Sequence, residues 1–174
     1  MNLNPFEDIK PGDIVGCRNS YWMGNLICWI TDSDVNHVAL YIGNNLLIES
    51  TINHGIRILP LAEYVNDSKT KVTVFRIKKQ VNIQNIIDYS YFFFGRKYDL
   101  FGQIGILNMN IFRKLNISWA IFWGKNKAID DKRMWCSEFI GELFAIENVR
   151  FCKFHTSLLS PHDIAASTEV IQVY

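Results

Sequence analysis

The first half of the chain carries short apolar runs bounded by turn residues, and residues 72–77 also alternate β-branched and other positions, a pattern that predicts β-strands. The predicted strands span residues 14–17, 36–42, 45–50, 55–59 and 72–77. Residues 43–45, Gly-Asn-Asn, separate the second and third strands and tolerate positive φ, so they predict a β-hairpin. Residues 21–30 are apolar and fit either a strand or a helix, because so short an apolar run does not separate the two.

Helical spacing dominates the second half of the chain. The predicted helices span residues 83–94 and 134–146, with a helical turn at 61–64 and a helix start at Ser160-Pro161. One apolar face is predicted for the helix at 134–146, formed by Phe139, Ile140, Leu143 and Phe144. Residues 170–174 predict a closing strand. These elements indicate an α+β fold, in which helices pack against an antiparallel sheet.

Composition and charge narrow the classes of function. The 174 residues are 49% hydrophobic and 20% charged, which suits a single globular domain over residues 1–174. The net charge of +1 comes without a basic block, so no nucleic-acid partner is expected. No apolar run is long enough to span a bilayer and no signal peptide is recognisable, so a cytoplasmic location is expected. The cysteines show neither a CxxC pair nor metal-ligand spacing, and the sequence has no P-loop and no G-x-G-x-x-G, so neither a metal nor another cofactor is expected.

One histidine, one glutamate and one cysteine have settings that suit thiol catalysis. His37 begins a predicted strand, Glu49 ends the next strand, and Cys136 lies where a helix begins. If residues 43–45 form a three-residue loop, Ala39 pairs with Glu49, and His37 and Glu49 are diagonal neighbours on one sheet face. A two-residue loop would shift the register by one and place them on opposite faces. With the odd loop, Glu49 can accept a hydrogen bond from one ring nitrogen of His37 and leave the other for the thiol.

The start of a helix is a setting that can activate Cys136. A helix N-terminus and a nearby imidazolium both lower the pKa of a thiol from its usual value of about 8.5. Backbone N–H groups around the cysteine are candidate oxyanion donors. Its neighbours Trp135 and Ser137 are therefore candidate substrate-binding residues.

Structural roles compete with this interpretation. A cysteine at the start of an apolar helix is usually a small buried hydrophobic residue, and a histidine on a strand is usually held by structural hydrogen bonds. The remaining cysteines and two of the histidines are expected to be structural: Cys17, Cys28, Cys152, His155 and His162. His54 competes with Glu49 for the role of orienting His37.

Six segments resemble, in the same order, the circularly permuted branch of the NlpC/P60 superfamily, papain-like cysteine hydrolases of bacteria, phages and poxviruses. The segments are KPGDIV (10–15), NHVALYIG (36–43), IEST (48–51) with GIRILPL (55–61), GRKYD (95–99), WCSEF (135–139) and SPHDI (160–164). Each segment alone is a weak signal, but their order along most of the chain is specific to the family.

The resemblance implies a permuted papain-like fold, an antiparallel sheet or barrel packed against helices. It implies Cys136 as the nucleophile, His37 as the base, Glu49 as the third member of a triad, and Tyr98 as a residue of the cleft beside the thiol. The implied reaction is cleavage of an amide or peptide bond through an acyl-enzyme, with a peptide or an N-acyl amino acid as substrate.

Two other functions stay open at this point. A lipid ester hydrolase or acyltransferase, similar to the lecithin:retinol acyltransferases, would have a cleft lined by Phe and Trp. A catalytically idle binding module would keep His37 and Cys136 too far apart for a hydrogen bond. Residues 100–132 are an expected insert, longer than is usual in the family and rich in aromatic residues. The alternatives for it are a lid, an acyl-chain pocket, a patch for peripheral membrane contact, or an extra helix over the core.

Overall fold

The computed structural model describes residues 8–100, 133–153 and 155–174. These residues contain one six-stranded sheet, in which every pair of neighbouring strands is antiparallel. The strands are β1 (Ile14–Asn19), β2 (His37–Gly43), β3 (Leu46–Thr51), β4 (Gly55–Pro60), β5 (Thr70–Ile77) and β6 (Val170–Gln172). Their spatial order is β4-β3-β2-β1-β5-β6. The expected α+β class with an antiparallel sheet is confirmed.

The described helices are α1 (Trp22–Thr31), α2 (Ala62–Val65), α3 (Ile83–Ser90), α4 (Cys136–Ala145) and α5 (Pro161–Ala165), with 3₁₀ turns at Tyr91–Phe93 and Thr156–Leu158. The ambiguous apolar run thus forms α1. Helix α3 is shorter than predicted because its last turn tightens into a 3₁₀ helix. None of the described helices is both long and apolar enough to cross a membrane. The expected insert, apart from Leu100, lies outside the described residues, so the alternatives for it stay predictions.

The register of the β2–β3 hairpin places two polar side chains on one face. Ala39 pairs with Glu49, as predicted. His37 precedes Ala39 by two residues, so its side chain is on the same face as that of Glu49.

The loop of this hairpin differs from the prediction. It has two residues rather than three, because Gly43 pairs with Leu46. Asn44 and Asn45 have φ of 52° and 58°, as in a type I′ turn. A β-bulge at Ile42 adds one residue to β2 and cancels the shift that a two-residue loop introduces.

The two faces of the sheet bury different cores. On one face, α3 and α4 cover the central strands, and the predicted apolar face of α4 is fully buried at Phe139, Ile140, Leu143 and Phe144. The other face carries what we call the smaller core, formed by Val15, Ala39, Tyr41, Leu47, Leu59 and Leu61. Because side chains alternate along a strand, His37 and Glu49 share the face of the smaller core.

Candidate active site

Two segments far apart in sequence meet beside the ends of β2 and β3. The hydroxyl of Ser50 donates a hydrogen bond to the backbone oxygen of Met134 at 2.6 Å. Met134 also donates its N–H to the backbone oxygen of Lys97 at 3.1 Å. Helix α4 begins two residues later at Cys136, so these bonds hold its N-terminus beside the strand ends that carry His37 and Glu49.

His37 and Glu49 form the predicted pair. Nε2 of His37 lies 2.7 Å from Oε2 of Glu49. The glutamate side chain is fully buried, and the histidine side chain is only 14% exposed. Since Nε2–H is donated to the carboxylate, Nδ1 is the ring nitrogen left for another partner. His54, the competitor, is exposed on the turn between β3 and β4.

The second side chain that acts on the pKa of His37 is that of Cys136, the first residue of α4. Burial by itself lowers the pKa of His37. The charge interaction and hydrogen bond with Cys136, and those with Glu49, outweigh burial and raise the pKa to about 10. An imidazole with that pKa is protonated at neutral pH.

Glu49 receives three donors although its side chain is 0% exposed. His37 Nε2 and the Tyr64 hydroxyl donate to Oε2, and Arg57 Nε donates to Oε1 at 2.9 Å. Burial raises the pKa of the carboxyl, but its hydrogen bonds with His37, Tyr64 and Arg57 and the charge of His37 lower it to about 2. The buried carboxylate therefore stays ionised.

No role was predicted from the sequence for Arg57 or Tyr64. A signal for Arg57 was present, because it pairs with Glu49 across β3 and β4 once residues 52–54 form a three-residue loop. Tyr64 lies on the four-residue helix α2, and no periodicity in so short an element indicates which way its side chain points. The sequence held no signal for it.

Tyr98 reaches the site through a close backbone contact. Gly55 at the start of β4 has φ of +66°, and a Cβ there would lie 2.1 Å from the backbone oxygen of Arg96. Ile56 donates its N–H to that oxygen at 2.9 Å. The segment that leads to Tyr98 is thereby fixed on β4. Burial first, then the charge of Cys136, raises the pKa of Tyr98, so its hydroxyl stays protonated near the thiol.

The side chains of Trp135 and Ser137 both bond to the backbone of the Leu159 segment. Trp135 Nε1 and Ser137 Oγ donate to the same backbone oxygen, that of Leu159, at 3.1 and 2.6 Å. Both side chains are buried and stabilise the contact between α4 and the Leu159 segment. Substrate contacts from these residues stay a prediction, for which the backbone N–H groups are the candidate donors. In the first turn of a helix these have no partner within the helix and carry a partial positive charge.

A cavity of about 440 Å³ adjoins the pair of His37 and Glu49. Its wall includes both of these side chains and Tyr98. The other described lining residues are Asn19, Tyr21, Gly24, Ile27, Asn36, Thr51, Ile52, Asn53, His54, Arg57 and Tyr64. The described lining therefore combines amide, hydroxyl and guanidinium groups with Tyr and Ile side chains. It contains no Phe or Trp.

Cys17 contrasts with Cys136 although it lies close to the same charges. It pairs with His37 across β1 and β2 and is buried. Burial raises the pKa of Cys17, and the charges of Glu49 and Cys136 raise it further. The Cys17 thiol therefore stays protonated, which agrees with the structural role expected for it.

A solved structure shares the fold. The chain is similar to the crystal structure of the metalloprotein yiiX from Escherichia coli O157:H7, with a TM-score of 0.68 and 15% identity over 95% of this chain and 96% of that chain. At this identity the likeness concerns the fold alone. No curated protein matches the sequence.

The metal in that description belongs to yiiX. Within residues 8–100, 133–153 and 155–174 of this chain, no three His, Cys, Asp or Glu side chains are grouped so that they could hold a metal ion. The described residues do not fit a metal site, and no step proposed below uses one.

A family match covers more than half of the chain. Residues 8–104 match the family described as permuted papain-like amidase enzymes, YaeF/YiiX, C92 family. The matched stretch contains His37, Glu49 and Tyr98 and ends before Cys136. The resemblance to permuted papain-like cysteine hydrolases is confirmed at the level of family and fold. The chain belongs to the C92 family of permuted papain-like amidase enzymes.

Proposed function

We propose that this member of the amidase family cleaves an amide or peptide bond with a Cys136–His37–Glu49 triad. The observation that carries the proposal is the position of His37, between a fully buried carboxylate 2.7 Å from Nε2 and the side chain of Cys136. A thiol nucleophile, an imidazole and a carboxylate that fixes the imidazole are the groups that acyl transfer requires.

The reaction follows from the proton positions. The Cys136 thiolate attacks the substrate carbonyl carbon, and the carbonyl electron pair moves onto oxygen to give a tetrahedral intermediate. Backbone N–H groups of the first turn of α4 stabilise that oxyanion. When the intermediate collapses, the C–N bond breaks and His37 gives its Nδ1 proton to the leaving amine.

Release of the acyl group reverses the proton path. Neutral His37 takes a proton from water, and the resulting hydroxide attacks the thioester carbonyl. The C–S bond breaks, the acid product leaves, and the thiolate returns beside the imidazolium. Glu49 remains ionised throughout and keeps the Nε2 proton on the ring.

The lining of the cavity supports an amide rather than a lipid ester as the substrate. Asn19, Asn36 and Asn53 offer both donors and acceptors, which match the peptide groups of a peptide or an N-acyl amino acid. A long acyl chain prefers a continuous aromatic and aliphatic wall. The described lining holds neither of the two residue types, Phe and Trp, that the acyltransferase alternative predicts.

The rate of alkylation by iodoacetamide, measured against pH at each cysteine by peptide mass spectrometry, tests the triad. In the wild type, Cys136 is expected to react at pH values well below the ordinary thiol titration near 8.5. In His37→Ala this low-pH reactivity is expected to disappear. Cys152, which is half-buried, is followed in both proteins for comparison. A Cys136 that titrates near 8.5 in both proteins contradicts the proposal and favours an idle binding module.

A matched pair of substrates then separates the chemistries. Peptide amides and esters with the same acyl group are incubated with the wild type and with Cys136→Ala. Amide cleavage that disappears in the variant supports the proposal. Cleavage of the esters alone would move the assignment to an esterase.

A further inference from the structure

We propose that Tyr64 is a positioning residue of this site, whose hydroxyl keeps the buried carboxylate of Glu49 ionised and aimed at His37. The inference rests on the proposed function and adds to it a group that acts only through Glu49. The observation that carries it is the arrangement of donors around Glu49, in which Oε2 accepts hydrogen bonds from both His37 and Tyr64.

The fold brings Tyr64 to this position through α2. Leu61 donates its N–H to the backbone oxygen of Asn45 in the hairpin loop at 2.8 Å, which fixes the start of the helix. Tyr64 donates its own N–H to the backbone oxygen of Leu61 at 3.0 Å. Its ring then lies beside that of His37, with centroids 6.2 Å apart and planes tilted by 49°. From there the hydroxyl reaches Glu49 on the side that faces His37.

Two donors on one carboxylate oxygen have a consequence that one donor does not. In a dry site, a lone His–Glu pair can lower its energy by moving the proton from nitrogen to oxygen, because both groups become neutral. Once Oε2 of Glu49 also accepts the Tyr64 hydroxyl, a proton on that oxygen would weaken an existing hydrogen bond. The Nε2 proton therefore stays on His37.

Among the described residues, the other groups that face Glu49 do not donate to Oε2, the oxygen that His37 uses. Arg57 from β4 supplies the compensating positive charge, but it donates to the opposite oxygen, Oε1. Cys17 from β1 is a neutral thiol, because burial and then the charge of Glu49 raise its pKa. Tyr64 is itself neutral, since burial first, and then its neighbours Cys17 and Glu49, raise its pKa. It is therefore the neutral donor that shares Oε2 with His37.

A packing role and a positioning role can be separated with one matched control. Tyr64 packs against the smaller core, of which Tyr41 is a member. The Tyr41 hydroxyl accepts a hydrogen bond from the N–H of Asn45 at 3.2 Å and is not among the described donors to Glu49. Tyr64→Phe and Tyr41→Phe each remove one hydroxyl next to the same core, and the first alone removes a donor to the carboxylate.

The experiment is a carboxyl titration by NMR with glutamate labelled with ¹³C at the side-chain carboxyl. Glu49→Gln assigns the resonance, and near-UV circular dichroism marks the lowest pH at which each protein is folded. In the wild type, the midpoint of Glu49 is expected near 2, above the pH at which the protein unfolds. In Tyr64→Phe, its midpoint is expected to rise by about one unit, because one of its hydrogen bonds is lost. In Tyr41→Phe, it is expected to stay where the wild type has it.

Two results would overturn the proposal. One is a Glu49 midpoint that is the same in Tyr64→Phe as in the wild type. The other needs no variant and is an ordinary glutamate midpoint in the intact wild-type protein. A failure of the proposed function would be seen in a different measurement, the alkylation of Cys136. If Cys136 alkylates like an ordinary thiol, the Glu49 titration still tests the role of Tyr64.

Discussion

The two sides of the site hold their polar groups in different ways. On the strand side, His37, Glu49 and Arg57 come from three adjacent strands, and His37 and Arg57 both bind Glu49. On the helix side, the side chains next to Cys136 bind a backbone oxygen outside the site. The strand side therefore sets protonation states, and the helix side sets the position of the thiol and of the N–H groups around it.

The difference has a physical origin in burial. A buried charge needs partners of opposite charge, so a change of one member on the strand side leaves another charge uncompensated. A neutral hydroxyl bonded to a carbonyl involves no net charge, so its loss costs only one hydrogen bond. The two sides should consequently respond to substitution by different amounts and in different observables.

Glu49→Gln tests the strand side and should have the largest effect, a loss of about 4 kcal/mol in the free energy of unfolding at pH 7. The folded pKa of Glu49, about 2, is below its ordinary value of 4.5. Its stabilisation is therefore fully present above pH 4.5 and is lost as the pH falls towards 2. The difference in unfolding free energy between wild type and variant, measured by urea unfolding, should shrink over the same interval.

Glu63→Gln is the control for this variant. The Glu63 carboxylate lies 3.8 Å from the same arginine, Arg57, but its side chain is 53% exposed. It should change stability by less than about 1 kcal/mol.

Gly55→Ala tests the contact that joins the Tyr98 segment to β4, with an expected loss of about 3 kcal/mol in unfolding free energy. The variant combines a positive φ with a Cβ that would lie 2.1 Å from a backbone oxygen. Gly95→Ala separates these two causes, since Gly95 has φ of +81° but no atom within 4 Å of its Cβ position. The control should lose only about 1 kcal/mol. Equal losses in the two variants would show that the close contact with Arg96 does not matter.

Ser137→Ala tests the helix side, with an expected loss of about 1–2 kcal/mol from the buried hydrogen bond to Leu159. The dependence of Cys136 alkylation on pH should stay as in the wild type, because no charge changes. Ser90→Ala is the matched control, since Ser90 is also buried and donates at 2.6 Å to the backbone oxygen of Ile87, in a helix outside the site. A pH profile that moves in Ser137→Ala but not in Ser90→Ala would mean that the two sides are not independent.

More contacts of the strand side than of the helix side could be predicted from the sequence. Strand alternation and the paired register predicted that His37 and Glu49 share a face, although the loop has two residues and the bulge at Ile42 restores the register. No pattern indicates a bulge in advance, because it depends on how the strands twist. Arg57, the partner of Glu49 on β4, could have been predicted by the same reasoning, by pairing β3 with β4 across the three-residue loop 52–54.

The helix side could not be derived in this way. The amphipathic pattern located α4, whose start differs from the predicted one by two residues. The pattern says nothing about which carbonyl the first side chains meet, because Leu159 lies 22 residues beyond Ser137. Tyr64 illustrates the same limit, since its contact with Glu49 depends on how a four-residue helix is placed. Local periodicity predicts elements and faces, whereas these contacts come from tertiary packing.

His54→Ala should have the smallest effect and decides which residue orients His37. His54 is exposed, so its loss should change the free energy of unfolding by no more than about 0.5 kcal/mol. It lines the cavity, so a role in the reaction has to be tested directly. The dependence of Cys136 alkylation on pH should match that of the wild type, while His37→Ala loses the low-pH reactivity. If His54→Ala moved the profile and Glu49→Gln did not, the orienting group would be the exposed histidine, and the buried carboxylate with its three donors would be a structural element of the sheet.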